Sequence, residues 1–173
     1  MQKYTKVRIV GYTQPAEEFK DSFSDAKELV AFCARVSNPS NQFNNETAEK
    51  LINYLIKHQH WSPLEMASVT LEVETTRDIA RQMLRHRSFA FQEFSQRYAD
   101  PTKDMRFVLR EARLQDTKNR QNSIETNDPH LQATWDAFQQ NVIDAAIQAY
   151  NWGIKNGIAK EQCRSVLPEG NTT

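Results

Sequence analysis

The chain has 173 residues, enough for about one domain with a sizeable hydrophobic core. Its 22 lysines and arginines balance 22 aspartates and glutamates, so no bulk electrostatic field draws it to nucleic acid or to a membrane surface. The first six residues lack the apolar stretch of a signal peptide, and no apolar run approaches membrane-spanning length. Two cysteines, and four histidines without a partner set of cysteines or carboxylates, predict a reducing, cytoplasmic setting and no metal site.

The first third of the chain predicts one strand and two helices. Partial alternation over 6–12 predicts the strand. Ser24 is typical of a helix N-cap, and the apolar stripe that follows it runs to Val36. After a loop at 38–42, the segment 44–58 carries the best amphipathic helical pattern in the chain.

The next segment predicts a strand that leads directly into a helix. Residues 68–74 alternate strictly between apolar and polar side chains, which predicts a strand with one buried face. Thr75 or Thr76 can cap the following helix, whose pattern breaks at His86. The helix therefore ends in a basic segment, and an aromatic-rich segment follows.

The last 70 or so residues predict a polar region followed by a long helix. The region 100–129 is read as irregular, with a short strand at 107–109 and a surface loop or flexible lid at 118–123. Apolar residues over 131–152 alternate four and three apart, which predicts a long helix with a seam that needs a partner helix, within the chain or across a subunit interface.

The end of the long helix and the final residues carry weaker signals. Gly153 is expected to break the long helix and Gly157 to stop it. A shorter helix is predicted over 159–167, and the final residues 168–173 read as a turn.

Basic and aromatic side chains concentrate between Arg81 and Tyr98. This stretch holds five basic groups, one carboxylate and four aromatic rings. Arginine offers a rigid fork of donors that matches phosphate oxygens, and it stacks on flat rings, so we interpret the cluster as a site for an anionic, planar ligand. The alternative is a helix that ends in basic residues to offset its dipole, followed by an aromatic core strand.

Three segments resemble one family. Arg85-His86-Arg87, followed after seven residues by Ser95, resembles the signature of the flavin-dependent thymidylate synthases. The segments 57–63 and 159–168 resemble two further motifs of that family, in family order. The three matches bracket roughly the last two thirds of the chain.

The resemblance implies roles for individual residues. For a bound FAD it implies contacts from His60, Ser62, Arg85, His86, Arg87, Ser88 and Glu93. For the nucleotide substrate it implies contacts from Gln82, Arg85, Glu93, Ser95, Gln96, Arg97 and Arg164. Gln96 departs from the glycine often seen at its position, which a backbone N–H contact would survive.

The resemblance also implies an activity. Deoxyuridine monophosphate (dUMP) would be converted to thymidylate (dTMP), with methylenetetrahydrofolate as carbon donor and FAD, reduced by NADPH, as hydride source. A homotetramer with active sites shared between subunits is implied as well. Neither Cys33 nor Cys163 lies in the basic, partly exposed setting of a nucleophilic thiol.

The fold expected is a single α+β domain over 1–173, with helices packed on antiparallel strands. Family elements that follow Pro168, including an arginine that faces the pyrimidine, would lie beyond Thr173. The chain is therefore expected to lack its C-terminal part and not to turn over alone. The rival class is a non-catalytic phosphate or nucleic-acid binding module that uses the Arg81–Arg97 cluster, and the zero net charge argues against it.

Overall fold

Short strands and helices alternate along the chain in this computed structural model, which describes residues 5–173. Residues 1–4, on which part of the signal-peptide prediction rests, lie outside the described residues. The strands and helices are β1 (Lys6–Tyr12), α1 (Ala26–Ala34), α2 (Ala48–Lys57), β2 (Val69–Glu74), α3 (Arg77–Met83), α4 (Pro101–Asp104), β3 (Arg113–Gln115), β4 (Ser123–Glu125), α5 (Pro129–Lys155) and α6 (Lys160–Cys163). This mixture confirms the α+β class.

The described chain divides into two compact units. One unit comprises Val7–Glu72, and the other comprises residues 5–6 together with Val73–Thr173. No helix of the described residues is both long enough and apolar enough to cross a membrane.

In the first unit, β1 pairs with β2 in a two-stranded sheet. The Arg8 guanidinium contacts Glu72 at 2.7 Å, and the Thr13 N–H donates to the Ser68 carbonyl at 2.9 Å. The earlier residue of the first strand thus lies beside the later residue of the second, so the two strands run antiparallel. The predicted bounds of β1 are confirmed. The predicted buried face of β2 is wrong for this chain, because Val69 is more than half exposed and no described residue covers it.

Helix α1 begins one residue later than the sequence predicts. The Asp25 carboxylate, and not Ser24, caps it by accepting the backbone N–H groups of Lys27 and Glu28 at 2.8 and 3.0 Å. The Glu28 N–H bond lowers the pKa of Asp25, because it stabilises the ionised carboxylate. The Ser24 N–H, one residue before the cap, donates to the Glu28 side chain at 2.6 Å, which adds a second side-chain bond at the start of the helix. The helix ends at Ala34, two residues before the predicted end.

An aromatic cluster lies in the first unit, in which Phe23 is buried and Phe43 is 55% exposed. The rings of Phe19, Phe23, Phe32 and Phe43 lie with centroids 5.0–6.0 Å apart. Such offset and tilted ring pairs stabilise a core beyond the burial of their area. Close to them, the buried Arg35 donates to the Asn44 carbonyl and to the Thr47 hydroxyl, and these bonds satisfy its guanidinium beside the start of α2.

In the second unit, the long helix α5 packs within the chain through a face other than the predicted seam. Its buried residues are Ile143, Ala146, Tyr150 and Gly153. The predicted seam is exposed: Phe138 is 62% exposed, Val142 58% and Trp152 62%. Within residues 5–173, therefore, no helix covers the seam.

The final residues form a buried extended segment, not only the predicted turn. Residues 169–173 lie between two stretches of chain, 75–78 and 106–108. The Thr75 and Thr173 backbones exchange hydrogen bonds of 3.2 and 2.8 Å, and the Thr172 N–H donates to the Arg106 carbonyl at 2.7 Å. These bonds, made far apart in sequence, fix the end of the segment beside the start of α3.

The region 100–129 contains more structure than the sequence indicated. A short helix, α4, starts at Pro101, where the Asp100 carboxylate caps it. The predicted strand at 107–109 is a single bridge between Phe107 and Asn171. Strands β3 and β4 form an antiparallel hairpin that was not predicted, and the predicted loop 118–123 forms most of its connection.

Gly153 does not break α5 but allows it to approach another helix. A Cβ at this position would lie 2.6 Å from the Cys163 sulfur of α6, too close for any side chain without movement. The Cys163 thiol is buried and donates to the Ile158 carbonyl at 3.5 Å, so it has little room to move. The glycine is therefore explained by helix packing and not by backbone flexibility.

We expect Gly153→Ala to lower the free energy of unfolding by up to about 2 kcal/mol. Overpacking a core costs roughly 1–3 kcal/mol, while alanine in a helix returns about 1 kcal/mol relative to glycine. Thermal denaturation of the variant measures the balance. The double variant Gly153→Ala/Cys163→Ala, which removes the clashing sulfur, should recover stability relative to Cys163→Ala alone. A gain in stability from Gly153→Ala in the unaltered background would contradict the packing explanation.

Candidate functional site

Helix α3 places two arginines on one wall of a cavity in the second unit. Arg77 and Arg81 are four residues apart, so their side chains project from the same face of the helix. The cavity has a volume of about 380 Å³, and Arg164 contributes a third guanidinium from the turn after α6. Three guanidinium groups around one opening favour an anionic ligand, and phosphate groups match their donor geometry.

Two carboxylates also line this cavity, and arginines hold them. Arg81 contacts Glu169 at 3.0 Å, and Arg97 contacts Glu161 at 3.1 Å. Both ion pairs are largely exposed, and exposed pairs contribute little stability, so an anionic ligand can compete for these guanidiniums. Arg164 is exposed and forms no ion pair with any described residue, which leaves its donors available.

Glu93 lies at the end of a small hydrogen-bond network. Its carboxylate accepts from the Arg77 guanidinium at 3.2 Å and from the Thr173 hydroxyl at 3.3 Å. The contact to Arg77 is partly buried, because the Arg77 side chain is only 16% exposed. The network ties the chain after the basic segment to α3 and to the last residue, and it orients Arg77.

Two buried carboxamides complete the wall of the cavity. Gln96 is 5% exposed and Asn171 is fully buried, and both line the opening. The Gln96 Nε2, the Asn171 Nδ2 and the Asn171 Oδ1 have no hydrogen-bond partner within residues 5–173. Unpartnered buried polar atoms are rare in folded proteins and call for a physical explanation.

The Arg85-His86-Arg87 segment is a turn, because α3 ends at Met83, earlier than predicted. All three side chains are exposed, and the described residues supply no ion-pair partner for either arginine. The His86 ring stacks on Phe89, with centroids 5.3 Å apart and planes 28° apart. The segment therefore presents unpaired guanidiniums beside a flat aromatic surface.

The alternative interpretation of this stretch is wrong in one respect. The residues at 89–94 form no strand, and the ring of Phe89 is 61% exposed, so they are not an aromatic core strand. Exposed aromatic rings beside unpaired cations are more typical of a binding surface than of a packed core.

The structure brings together only some of the residues that the sequence singled out. Gln96 and Arg164 line the cavity, while Glu93 and Arg97 contact its lining residues Arg77 and Glu161. The Ser95 hydroxyl accepts the Arg97 N–H at 3.3 Å, which shapes the turn before Tyr98. Gln82, Arg85 and Ser88 are exposed near the end of α3 and do not line the cavity.

His60 and Ser62 belong to the other unit and are described within it. The His60 ring lies 6.2 Å from Tyr54 and 6.3 Å from His58, centroid to centroid. Ser62 begins a short 3₁₀ helix, Ser62–Met66, and both residues are exposed. An exposed group of flat rings at the end of α2 can stack on a planar ligand.

The sequence missed several residues of the cavity. Arg77 lies just outside the cluster that was singled out, although its four-residue spacing from Arg81 was a usable signal. Glu161 and Glu169 gave no signal beyond their charge. Asn171 gave none, because it reaches the cavity through the extended final segment and not through a motif.

Neither cysteine lines the cavity. Cys163 is buried against α5, and Cys33 is half-buried in α1 as a free thiol. Within residues 5–173 no group of three histidine, cysteine or acidic side chains has an arrangement that would hold a metal ion.

Known proteins share both the sequence and the fold. Residues 18–173 match the family described as thymidylate synthase complementing protein. A probable flavin-dependent thymidylate synthase of Paramecium bursaria Chlorella virus 1 is 46% identical over 96% of this chain and 74% of its own length. The flavin-dependent thymidylate synthase of a Synechocystis strain is 42% identical over 96% of this chain and 75% of its own.

A solved structure has a similar fold. A UMP/dUMP methylase from Streptomyces cacaoi, crystallised with 5-bromo-dUMP, has a TM-score of 0.70 and 25% identity, over 99% of this chain and 71% of its own. The fold and the cavity thus define an α+β protein of the nucleotide-methylating class. The chain belongs to the thymidylate synthase complementing protein family, whose curated members include the flavin-dependent thymidylate synthases. This membership favours an enzyme over a non-catalytic binding module.

Proposed function

We propose that this protein is a flavin-dependent thymidylate synthase. It converts dUMP to dTMP by reductive methylation, with methylenetetrahydrofolate as carbon donor and NADPH as the source of reducing equivalents. The observation that carries the proposal is the cavity lined by Arg77, Arg81 and Arg164, in a chain whose relatives are named for this activity.

The cavity is proposed to hold the phosphate of dUMP. Arg164 offers unpaired donors, while Arg81 and Arg97 can exchange Glu169 and Glu161 for a phosphate group. Gln82, Arg85, Glu93, Ser95 and Gln96 complete the proposed nucleotide contacts, with Arg77 and Arg81 added from the structure. Fixing one end of the substrate restricts its motion and orients the pyrimidine, which is how positioning contributes to catalysis.

The exposed basic segment fits a flavin cofactor. The donor set of Arg85, Arg87 and Ser88 suits the phosphates of FAD, and the stacked His86 and Phe89 rings suit its flat ring systems. His60, Ser62 and Glu93 are proposed as further contacts. When bound, the flavin supplies the hydride, and the protein supplies placement and charge.

No cysteine is proposed as a nucleophile. The Cys163 thiol is buried and hydrogen-bonded to a carbonyl, so it cannot reach a substrate in the cavity. A thiol needs a basic, partly exposed setting to attack as the thiolate. The proposed chemistry therefore rests on positioning by the arginines and not on a covalent thiol adduct.

We further propose a single domain over 1–173, assembled as a cytoplasmic homotetramer with active sites shared between subunits. The exposed seam of α5 supports self-association, because one chain leaves large aromatic and aliphatic side chains uncovered there. Two free cysteines and no disulfide among the described residues agree with a reducing compartment.

The proposal is tested by assay of thymidylate formation from dUMP with FAD, NADPH and methylenetetrahydrofolate, with and without an added C-terminal segment from a relative, because the chain alone is expected not to turn over. Formation of dTMP that requires all four supports the activity. If dTMP forms without added or bound flavin, the proposed cofactor is wrong.

We expect the purified protein to bind FAD, and Arg87→Ala to weaken that binding about tenfold or more, because a charge-assisted hydrogen bond to a phosphate is lost. Visible absorption and fluorescence quenching during FAD titration measure the change. The matched control is Arg120→Ala, which removes an exposed arginine from the connection between β3 and β4 and should leave affinity unchanged. A folded protein that remains colourless in excess FAD would argue against the flavin site.

A further inference from the structure

The first turn of α3 is held by contacts from outside the helix. With seven residues, α3 is too short to be stable by itself, because isolated helices of fewer than about 12–15 residues are marginal in water. The Thr76 side chain precedes the helix and does not cap it. The backbone N–H groups of Arg77 and Asp78 donate instead to carbonyls of the final segment, at 3.0 and 3.4 Å. The positions of Arg77 and Arg81 therefore depend on groups elsewhere in the chain.

Arg110 supplies the side-chain contacts at this turn. One nitrogen of its guanidinium donates to both carboxylate oxygens of Asp78 at 2.9 Å, and also to the Thr76 hydroxyl at 2.7 Å. The Arg110 side chain is 34% exposed and that of Asp78 is 43% exposed, so solvent screens the ion pair in part. Asp78 is the only acidic residue of α3, and Arg110 therefore neutralises the one carboxylate that this helix carries.

Helix α5 fixes Arg110 in turn. The Gln139 carboxamide pairs with both backbone groups of Arg110: its oxygen accepts the Arg110 N–H at 2.7 Å, and its nitrogen donates to the Arg110 carbonyl at 2.9 Å. Two residues further on, the Ala112 N–H donates to the Gln132 carboxamide oxygen at 2.7 Å. Gln132 and Gln139 are two helical turns apart and lie on one face of α5. The segment 110–112 is therefore supported by a 27-residue helix, which holds the guanidinium in place.

The charge of Asp78 affects the cavity because of its place in α3. Asp78 and Arg81 are three residues apart, and side chains at this spacing are neighbours on a helix surface. Without Arg110, the Asp78 carboxylate would attract the Arg81 guanidinium and repel a ligand phosphate. Arg81 already has one exchangeable counterion in Glu169, at 3.0 Å. A second carboxylate on the same helix would compete more strongly with a ligand, because the helix backbone already holds it beside Arg81.

We propose that Arg110 is a positioning residue for the arginine cavity, which binds the Asp78 carboxylate and so keeps Arg81 available to an anionic ligand; this rests on the proposed dUMP site. Arg110 does not line the cavity and acts through α3. Its removal lowers the affinity for a phosphorylated ligand, and removal of the Asp78 charge as well reverses the loss.

The test uses Arg110→Gln, Asp78→Asn and the double variant, each titrated calorimetrically with dUMP and with deoxyuridine. Arg110→Gln should bind dUMP about three- to tenfold more weakly, a moderate effect because the ion pair is partly exposed. Deoxyuridine lacks the phosphate and should bind with unchanged affinity. The double variant should regain a dUMP affinity within about twofold of the original, because no carboxylate remains in α3 to compete. A merely structural role would not give this reversal, because the second substitution removes another ionic group from the same contact.

Arg113→Gln is the matched control. Arg113 also pairs with two carboxylates, those of Glu111 at 2.9 Å and Glu125 at 3.2 Å, and it lies outside the cavity lining. Its replacement should leave dUMP affinity unchanged. If Arg110→Gln does not fold, Asp78→Asn alone decides the question. That variant keeps Arg110 and removes the competing charge, so it should bind dUMP at least as tightly as the original protein.

Several outcomes would overturn the inference. Unchanged dUMP affinity in Arg110→Gln would show that the cavity does not depend on this residue. A double variant that stays as weak as Arg110→Gln would show that the Asp78 carboxylate is not the competitor. An equal loss of deoxyuridine affinity would show that the effect does not lie at the phosphate end. A loss of dUMP affinity in Asp78→Asn alone would show that the carboxylate itself supports binding.

The binding measurement is independent of catalysis. If the protein binds dUMP and makes no thymidylate even with the added C-terminal segment, the proposed function fails while the affinity ratios still decide the role of Arg110. If thymidylate forms and the ratios stay at one, the proposed function stands and this inference fails.

Discussion

We expect Arg164→Ala to weaken dUMP binding by about ten- to a hundredfold. Arg164 lines the cavity and has no ion pair among the described residues, so its guanidinium is free to bind phosphate. Charge-assisted hydrogen bonds of this kind contribute roughly 1.5–3 kcal/mol. Because Arg164 is exposed, its removal should leave thermal stability nearly unchanged, which separates a binding effect from misfolding. Calorimetric titration with dUMP measures the loss.

Two further variants define the role of Arg164. Arg164→Lys keeps the charge but not the forked donor geometry, and it should bind dUMP with an affinity between those of the original protein and the alanine variant. Arg120→Ala removes an exposed arginine far along the chain and should have no effect on dUMP. If Arg164→Ala binds dUMP as tightly as the original protein, the arginine cavity is not the phosphate site.

We expect Phe138→Glu to dissociate the assembled protein. Phe138 and Val142 are one helical turn apart on α5 and are 62% and 58% exposed, so they form the middle of an uncovered apolar stripe. Buried aromatic anchors at interfaces contribute about 2 kcal/mol or more, and a carboxylate there adds a desolvation penalty. The dissociation constant should therefore rise by at least about thirtyfold, as followed by sedimentation over a range of concentrations.

Asn151→Glu is the matched control for this prediction. It adds the same charge to the same helix, about 140° around the helix axis from Phe138. It is exposed and should leave the assembly intact. An original protein that sediments as a monomer at micromolar concentration, or a Phe138→Glu variant that assembles normally, would show that the seam is not a subunit interface.

The basic segment shows how far local sequence can carry a functional prediction. Arg85-His86-Arg87 and Ser95 were identified from residue types and spacing alone, and the family matches confirm the resemblance. The end of α3 was predicted two residues too late, since the helical charge pattern continues into Arg85 while the backbone has already turned. Periodicity locates a helix better than it locates its final turn.

The long helix α5 shows what the sequence left open. The stripe that includes Phe138 and Val142 is the more apolar one, so it was expected to pack against a partner helix, within the chain or across a subunit interface. The helix packs instead through small and medium side chains, including Ala146 and Gly153, because they allow α6 to approach closely. Apolarity alone does not say whether a face is covered by the same chain or by another.

By itself, the sequence determined the α+β class, the strand at 6–12, the helices α1, α2, α3 and α5, and the basic segment, because these depend on caps, periodicity and neighbouring residues. Only the tertiary structure decided which side chains form the cavity. Arg77, Glu169 and Asn171 meet because residues 169–173 lie between two distant stretches of backbone, held by hydrogen bonds such as that between the Asn171 carbonyl and the Arg77 N–H at 3.0 Å. Pairing of this kind depends on contacts about 60–100 residues apart, which no local pattern of residue types records.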